Sequence, residues 1–211
     1  MNKEEFLQEL AKINIYPSTD QINQLEKFYQ LLIEWNQKLN LTRITLKEEV
    51  YLKHFYDSLT LYKAINLNEI ETVCDVGTGA GFPGIVLKIM FPNLKIVLID
   101  SLQKRVNYLK EVIKELDLDN IEAIHIRAED YKGSFDLVTS RAVANIEKLV
   151  NYTMHLVSKD GVFIAMKGDI EKELTQEKIN KLSNKYKIIK VEEFLLPIEK
   201  SKRSFIIMKN K

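Results

Sequence analysis

The chain has 211 residues, 45% of them apolar, with only seven glycines and four prolines, which suits one substantial folded core and excludes a low-complexity polymer. Its longest apolar runs, such as Ile96-Val-Leu-Ile99, are too short to span a bilayer. Its polar, acidic start has no basic segment leading into an apolar one, so a cytoplasmic protein is expected. A single cysteine, Cys74, excludes an internal disulfide and a cysteine-based metal cage, and a net charge of +1 permits a nucleic-acid partner without announcing one.

Taken in order, the first third reads as helical. From Thr19-Asp20 onward, Ile22, Leu25, Phe28, Tyr29, Leu32, Ile33 and Trp35 recur at three- and four-residue spacing. A second helical stretch is expected from about Leu46 to Leu61, with Val50, His54, Asp57 and Leu61 on one stripe, and the capping-rich segment Asn36 to Thr42 lies between the two. After Asn68 the pattern becomes alternating strands and helices. Strands are expected at Thr72–Val76, Lys95–Asp100, Ile121–Ile126, Phe135–Ser140, Gly161–Lys167, Tyr186–Phe194 and Ser204–Lys209, with helices at 84–91, 102–116, 145–157 and 170–184. Such alternation predicts a mostly parallel seven-stranded sheet, and the brief turn near Glu199-Lys-Ser201 requires an antiparallel pair at one edge. The fold class is therefore α/β and Rossmann-like: residues 1–66 as a small helical extension, residues 67–211 as the ligand-binding core.

The first strand ends in Cys74-Asp75-Val76 and runs into Gly77-Thr-Gly79-Ala-Gly81-Phe-Pro-Gly84. Ligands of open α/β sheets sit beyond the carboxyl ends of the strands, and glycines there let a ligand approach the backbone closely. Two readings compete. Gly79, Gly81 and Gly84 spell the dinucleotide fingerprint, with Asp100 placed 21 residues after Gly79, which suits an NAD-dependent oxidoreductase. Asp75 ahead of the first glycine favours instead a cationic group, such as the α-ammonium of S-adenosyl-L-methionine, over a pyrophosphate. Asp100 can accept from both ribose hydroxyls in either case.

The ordered set of motifs resembles the ribosomal RNA small-subunit methyltransferase G family, also called glucose-inhibited division protein B. It comprises Trp35-Asn36 with Asn40-Leu41-Thr42, His54 with Asp57-Ser58-Leu59, the loop Asp75 to Ile85, Asp100-Ser-Leu with Lys104-Arg105, Arg127-Ala-Glu129, Ser140-Arg-Ala-Val-Ala144 and Lys167-Gly168. The resemblance implies an S-adenosylmethionine-dependent enzyme that methylates N7 of a guanine in the decoding-centre loop of 16S rRNA. It implies a helical extension on a class I methyltransferase core. It also implies a cofactor held by Asp75, Gly77, Gly79, Phe82, Asp100, Ser101, Leu102, Ala128, Glu129 and Arg141. Gly77 and Phe82 would bound its methionine end, Leu102 would lie on the adenine, and Ala128 and Glu129 would read the adenine edge. Arg141 is a pocket residue in this reading; the plainer alternative is an ion pair with Asp136 or Glu147.

Guanine N7 carries a lone pair and no proton, so its methylation needs no general base, and none is assigned. The Asn/Asp-Pro-Pro-aromatic motif of amine methylation is missing at the fourth strand. Cys74, inside the first strand, reads as a small buried hydrophobe rather than a nucleophile. His125 and His155 read as structural, and no metal site is expected. Residues 166–211 hold 12 Lys/Arg against 7 Asp/Glu. Arg43, Lys104, Arg105, Lys167, Lys200, Lys202 and Arg203 are the candidates for phosphate contacts. Small-subunit rRNA or the 30S subunit is the expected partner, with no membrane and no DNA, and the chain is expected to be a monomer. A methyltransferase acting on a small molecule or protein, and a cofactor sensor without turnover, are the other classes the residues allow.

Overall fold

The structure is a computed structural model and describes residues 1–141 and 144–211. Ala142 and Val143, in the middle of the Ser140-to-Ala144 motif, lie outside the described residues. Seven strands form one sheet in the order β3-β2-β1-β4-β5-β7-β6. They are β1 (Thr72–Val76), β2 (Lys95–Asp100), β3 (Ile121–His125), β4 (Phe135–Arg141), β5 (Val157–Lys167), β6 (Tyr186–Leu195) and β7 (Lys202–Asn210). The first five run parallel, whereas β7 is antiparallel to both β5 and β6, as the short connection between the last two strands requires.

Alternation along the strands sorts the core onto two faces. Val73, Ile96, Leu98, Leu137 and Ile164 face one apolar cluster, while Cys74, Val76, Ile99, Val138 and Phe163 face the other. The first cluster is continuous with the N-terminal helices α1 (Lys3–Ala11) and α2 (Thr19–Leu39) and with α5 (Gly84–Met90) and α6 (Gln103–Glu115). The second is covered by α7 (Ile146–Thr153) and by Leu182 of α8 (Gln176–Lys185).

Helix α2 starts where Ser18 and Gln21 form a capping box and stops at Asn40, which takes the left-handed conformation. Its polar side chains also anchor it to the core. Gln21 donates to the carbonyls of Ile89 and Met90 at 2.9 and 3.1 Å, and Gln24 to that of Leu116 at 3.0 Å. Lys27 reaches the carbonyl of Glu115. These carbonyls are orphans at the ends of α5 and α6, so the docking of α2 satisfies groups that would otherwise need water.

The next helical segment is continuous but not uniform. It runs as α3 (Lys47–Val50), a π-helical turn over Tyr51–Tyr56, α4 (Asp57–Leu59) and a 3₁₀ turn over Thr60–Lys63. Periodicity anticipates the segment and not its π turn. Three other expectations shift. The helix expected at 145–157 gives way to β5 at Val157, because Val157 pairs with Phe135 before the ladder shifts register and resumes at Leu137 and Val162. The helix expected from 170 begins at Gln176, because Thr175 caps it and Ile170–Leu174 form a separate turn. Lys3–Ala11, capped by Asn2 and Glu5, is a helix that the spacing argument did not single out.

Candidate active site

The loop after β1 is built around Asp75. Its side chain is fully buried, and its Oδ2 accepts from the Thr78 hydroxyl at 2.7 Å and from the Gly84 N–H at 2.8 Å. Gly77, Gly79 and Gly81 all have positive φ. The glycines divide by purpose. A methyl group on Gly84 would overlap the Leu98 side chain and stand 2.9 Å from Asp75 Oδ2, so this glycine serves packing. One on Gly79 would meet only the Gly77 carbonyl, at 3.9 Å, so its open side faces a cleft.

Two clefts meet at this loop, both touching Gly77. The smaller, about 320 Å³, lies over the ends of β1, β2 and β3 and is lined by Asp100, Ser101, Ala128 and Glu129 among others. The larger, about 640 Å³, lies between the loop, the N-terminal helical segment and the C-terminal hairpin, and is lined by Gly79, Phe82 and Arg141. Eight of the ten residues anticipated as cofactor contacts thus line one cleft or both. Leu102 lines neither, but its side chain is 42% exposed immediately after Asp100 and Ser101. Asp75 also lines neither. Where the sequence reading places this carboxylate beside the ligand, it fastens the loop from beneath. Its Oδ1 is buried without a partner among the described residues, and burial, opposed by the bonds from Thr78 and Gly84, raises its pKa to about 6.

Asp100 is nearly as enclosed. It accepts from Gly79 N at 3.0 Å and Leu102 N at 2.9 Å, and Arg105 approaches at 3.4 Å. Its carboxylate therefore ties the glycine loop to the end of β2.

The wall of the larger cleft holds a charged network that the sequence did not foretell. Arg141, at the end of β4, donates to Asp57 Oδ2 and to the Lys53 carbonyl, each at 2.9 Å, and its Nη2 lies 3.2 Å from His54 Nδ1. Both readings that paired it with Asp136 or Glu147 are corrected, since Asp136 accepts from Thr72 and Glu147 pairs with Lys181. The π turn explains the Lys53 contact. Asp57 N donates to Leu52 and His54 carbonyls instead of to Lys53, whose carbonyl lies beside both the guanidinium and, at 3.1 Å, His54 Nδ1. Asp57 Oδ1 in turn accepts from Arg203 Nε at 2.8 Å. One carboxylate, 4% exposed, thus joins the helical segment, the parallel sheet and the C-terminal hairpin.

Phe82 sits among these groups. His54 stacks on its ring at 4.4 Å and the Arg141 guanidinium lies 5.1 Å from its centre, while Phe28 and Phe55 pack on it from the helices. Burial, helped by the neighbouring Arg141 charge, lowers the His54 pKa to about 3, so the ring is neutral. Among the other candidates, His125 and His155 bond only to backbone carbonyls, of Ser101 and Tyr131. The Cys74 thiol is buried and its pKa is pushed up by desolvation, which leaves it unreactive. Arg105, Lys167 and Arg203 line the larger cleft, and Lys202 pairs with Asp169. Arg43, Lys104 and Lys200 are exposed. No group of side chains suited to a metal ion occurs among the described residues, and none of their helices is long and apolar enough to cross a membrane.

Comparison with known proteins decides what this site belongs to. A family model described as rRNA small subunit methyltransferase G matches residues 21–206. The protein of that name from Bacillus subtilis is 43% identical over 216 residues, covering 99% of this chain and 90% of its own. The chain belongs to the rRNA small subunit methyltransferase G family. The Lactobacillus acidophilus member is 46% identical over 222 residues, covering 99% of this chain and 91% of its own. Among solved structures, a SAM-dependent methyltransferase from Aquifex aeolicus superposes with a TM-score of 0.60 at 20% identity, covering 80% of this chain and 96% of that one. TYW2 of M. jannaschii, in complex with AdoMet, gives 0.56 at 22% identity, covering 74% and 77%. These likenesses show the class I methyltransferase fold.

Proposed function

We propose that the protein transfers the methyl group of S-adenosyl-L-methionine to N7 of a guanine in the decoding-centre loop of 16S rRNA, acting as a monomer in the cytoplasm on stripped rRNA or on the 30S subunit. The observation that carries this reading is the junction of two clefts at Gly77, one of about 320 Å³ over the strand ends and one of about 640 Å³ beside the helical segment. The chain's residues fit the cofactor. Gly79 leaves its side of the loop open, and Asp75 Oδ1, buried and without a partner among the described residues, lies behind the loop as a source of negative field for an ammonium group. Leu102 offers an apolar surface to the adenine, Ser101, Ala128 and Glu129 bound it, and Asp100 is placed to hold the ribose once Arg105 yields. Residues 1–66 serve, in this reading, as an extension that completes the substrate cleft.

S-adenosylmethionine supplies, when bound, a methyl group on a sulfonium. The attacking N7 lone pair lies in the plane of the base and carries no proton, so no residue has to remove one. The chain's own groups therefore need neither supply a base nor stabilise an anion. The protein's task is to orient the two reactants and exclude water, which can supply much of the rate. Phe82 and Arg141, held by Asp57 and the Lys53 carbonyl, fix the floor of the larger cleft, while Arg105, Lys167 and Arg203 place positive charge at its walls for RNA phosphates.

The test is transfer of labelled methyl from S-adenosylmethionine to small subunits, and separately to stripped 16S rRNA, from cells lacking the enzyme. Label in RNA supports the reading. Cofactor binding without any label in RNA would contradict it. A melting temperature raised by NADH and not by S-adenosylhomocysteine would restore the oxidoreductase reading.

A further inference from the structure

Arg105 stands between the two clefts. Its side chain lines the larger one, yet its Nη1 lies 3.4 Å from Oδ2 of Asp100, which lines the smaller. The contact is loose, since charge-assisted hydrogen bonds usually measure roughly 2.7–2.9 Å. The arginine side chain is 35% exposed, whereas the carboxylate is 3% exposed. The position is also unfavourable for a cation. Arg105 lies in the first turn of α6, where no acidic residue occurs, so its charge faces the positive end of the helix. Asp100 is the one ion-pair partner of Arg105 among the described residues.

The acceptor count on Asp100 determines what a ribose meets there. A carboxylate offers about four lone-pair sites, two on each oxygen. The Leu102 N–H occupies one on Oδ1 and the Gly79 N–H one on Oδ2. Both donors belong to the backbone that shapes the loop. One site is left on each oxygen, and Arg105 fills the one on Oδ2. Two ribose hydroxyls need both sites, so the guanidinium has to leave.

We propose that Arg105 is a positioning residue that couples the two clefts: the ribose hydroxyls displace its guanidinium from Asp100, and the freed guanidinium takes an RNA phosphate in the larger cleft. This deepens the reading above and rests on its placement of the ribose at Asp100. While paired, the charge of Arg105 is offset by the carboxylate; once released, it faces the RNA undiminished. Each ligand favours the same broken contact, so whichever binds second does not meet that cost. Cofactor and RNA therefore bind with positive cooperativity, each tightening the other by the same factor. A partly exposed ion pair is worth roughly threefold in an equilibrium constant, which sets the scale of the coupling.

The experiment measures the affinity for S-adenosylhomocysteine with and without stripped 16S rRNA, and for the RNA with and without S-adenosylhomocysteine. Wild type, Arg105→Met and Lys110→Met are compared, and the product is used because it has no sulfonium charge to attract RNA. In wild type each ligand should bind roughly threefold more tightly when the other is saturating. Arg105→Met should bind S-adenosylhomocysteine alone roughly threefold more tightly than wild type, since no guanidinium competes for Asp100. The same variant should bind RNA more weakly, with a salt slope lower by about one, and show no coupling. Opposite effects on the two ligands are what a structural arginine does not produce. Lys110, an exposed lysine of the same helix, controls for the loss of one charge, and Lys110→Met should leave the affinity for S-adenosylhomocysteine unchanged. An affinity in Arg105→Met equal to or below that of wild type overturns the proposal, as does coupling that survives in that variant or the same tightening in Lys110→Met. The wild-type measurement needs no variant, so the proposal stays testable whatever Arg105→Met does to folding. Wild type that fails to bind S-adenosylhomocysteine or RNA removes the underlying reading and this proposal with it, whereas binding of both without coupling removes only this proposal.

Discussion

Replacing Asp57 with Asn keeps the shape of the side chain and removes its charge. The carboxylate is 4% exposed and accepts from two guanidiniums, Arg141 at 2.9 Å and Arg203 at 2.8 Å. Removing one partner of a buried ion pair costs roughly 3–5 kcal/mol, because the remaining charge is left uncompensated. The cost here is smaller for two reasons. The arginine side chains retain 14% and 21% exposure, and each keeps a further acceptor: Lys53 O for Arg141, and Ser201 Oγ and Lys202 O for Arg203. The amide oxygen can hold one arginine, while its NH₂ must face the other. A loss of about 2 kcal/mol follows, or roughly 4–8 °C in Tm for a chain of this size. Urea unfolding with an unchanged m-value measures it. The half-exposed Lys202–Asp169 pair provides the control, since Lys202→Met should leave the urea midpoint essentially unmoved. If Asp57→Asn unfolds within about 0.5 kcal/mol of wild type, the network is a surface ornament and the reasoning is wrong.

The glycine loop predicts an opposite pair of outcomes. Gly84→Ala forces a methyl into Leu98 and Asp75 and should cost about 1–3 kcal/mol of stability. Gly79→Ala has room but a φ of +60°, so it should cost about 1–2 kcal/mol and weaken S-adenosylhomocysteine binding by calorimetry; an unaltered affinity would show that the ligand does not pass over Gly79. His54 and Asp75 pull stability in opposite directions with pH. The folded pKa of His54 is depressed from 6.5 to about 3, so the unfolded chain binds the extra proton between these values, and its contribution, full above pH 6.5, is lost as pH falls. Asp75 is raised from 3.8 to about 6, so its contribution is present at low pH and is lost as pH rises through 6. The stability gap between wild type and His54→Gln should therefore narrow from pH 7 to pH 5, and a gap that widens refutes the buried neutral ring. Asp75→Asn should stabilise the ligand-free protein at pH 8 relative to pH 5; the reverse would mean that the carboxylate is not held at a cost.

What the sequence made legible was local chemistry. The loop from Asp75 to Gly84 carries its own turn residues, and the short apolar strands lie within one residue of their expected ends at β1, β2 and β3. Pairings between distant parts were hidden. The pocket reading of Arg141 carried only a local ion pair, with Asp136 or Glu147, as its alternative, because nothing in spacing brings a residue 84 positions away beside it. His54 and Asp57 share a helix face in any helix, but the π turn that frees the Lys53 carbonyl has no periodic signature. Thr42 appeared only as part of a motif, and its contact with His54 Nε2 at 3.0 Å lies beyond any spacing argument. The helix start at Gln176 was masked by the apolar Ile170 and Leu174, which continue the helical spacing backward into a turn. Propensity reads one segment at a time, and the site is assembled from many.

The central claim is chemical, and it is tested most directly by mapping the methyl group on the RNA. After reaction with labelled S-adenosylmethionine, 16S rRNA is treated so that strands break only at N7-methylated guanines. A single break, in the decoding-centre loop and in proportion to the label, is the predicted result. Label that resists scission, or scission elsewhere in the RNA, would place the methyl on another atom or another base and contradict the account.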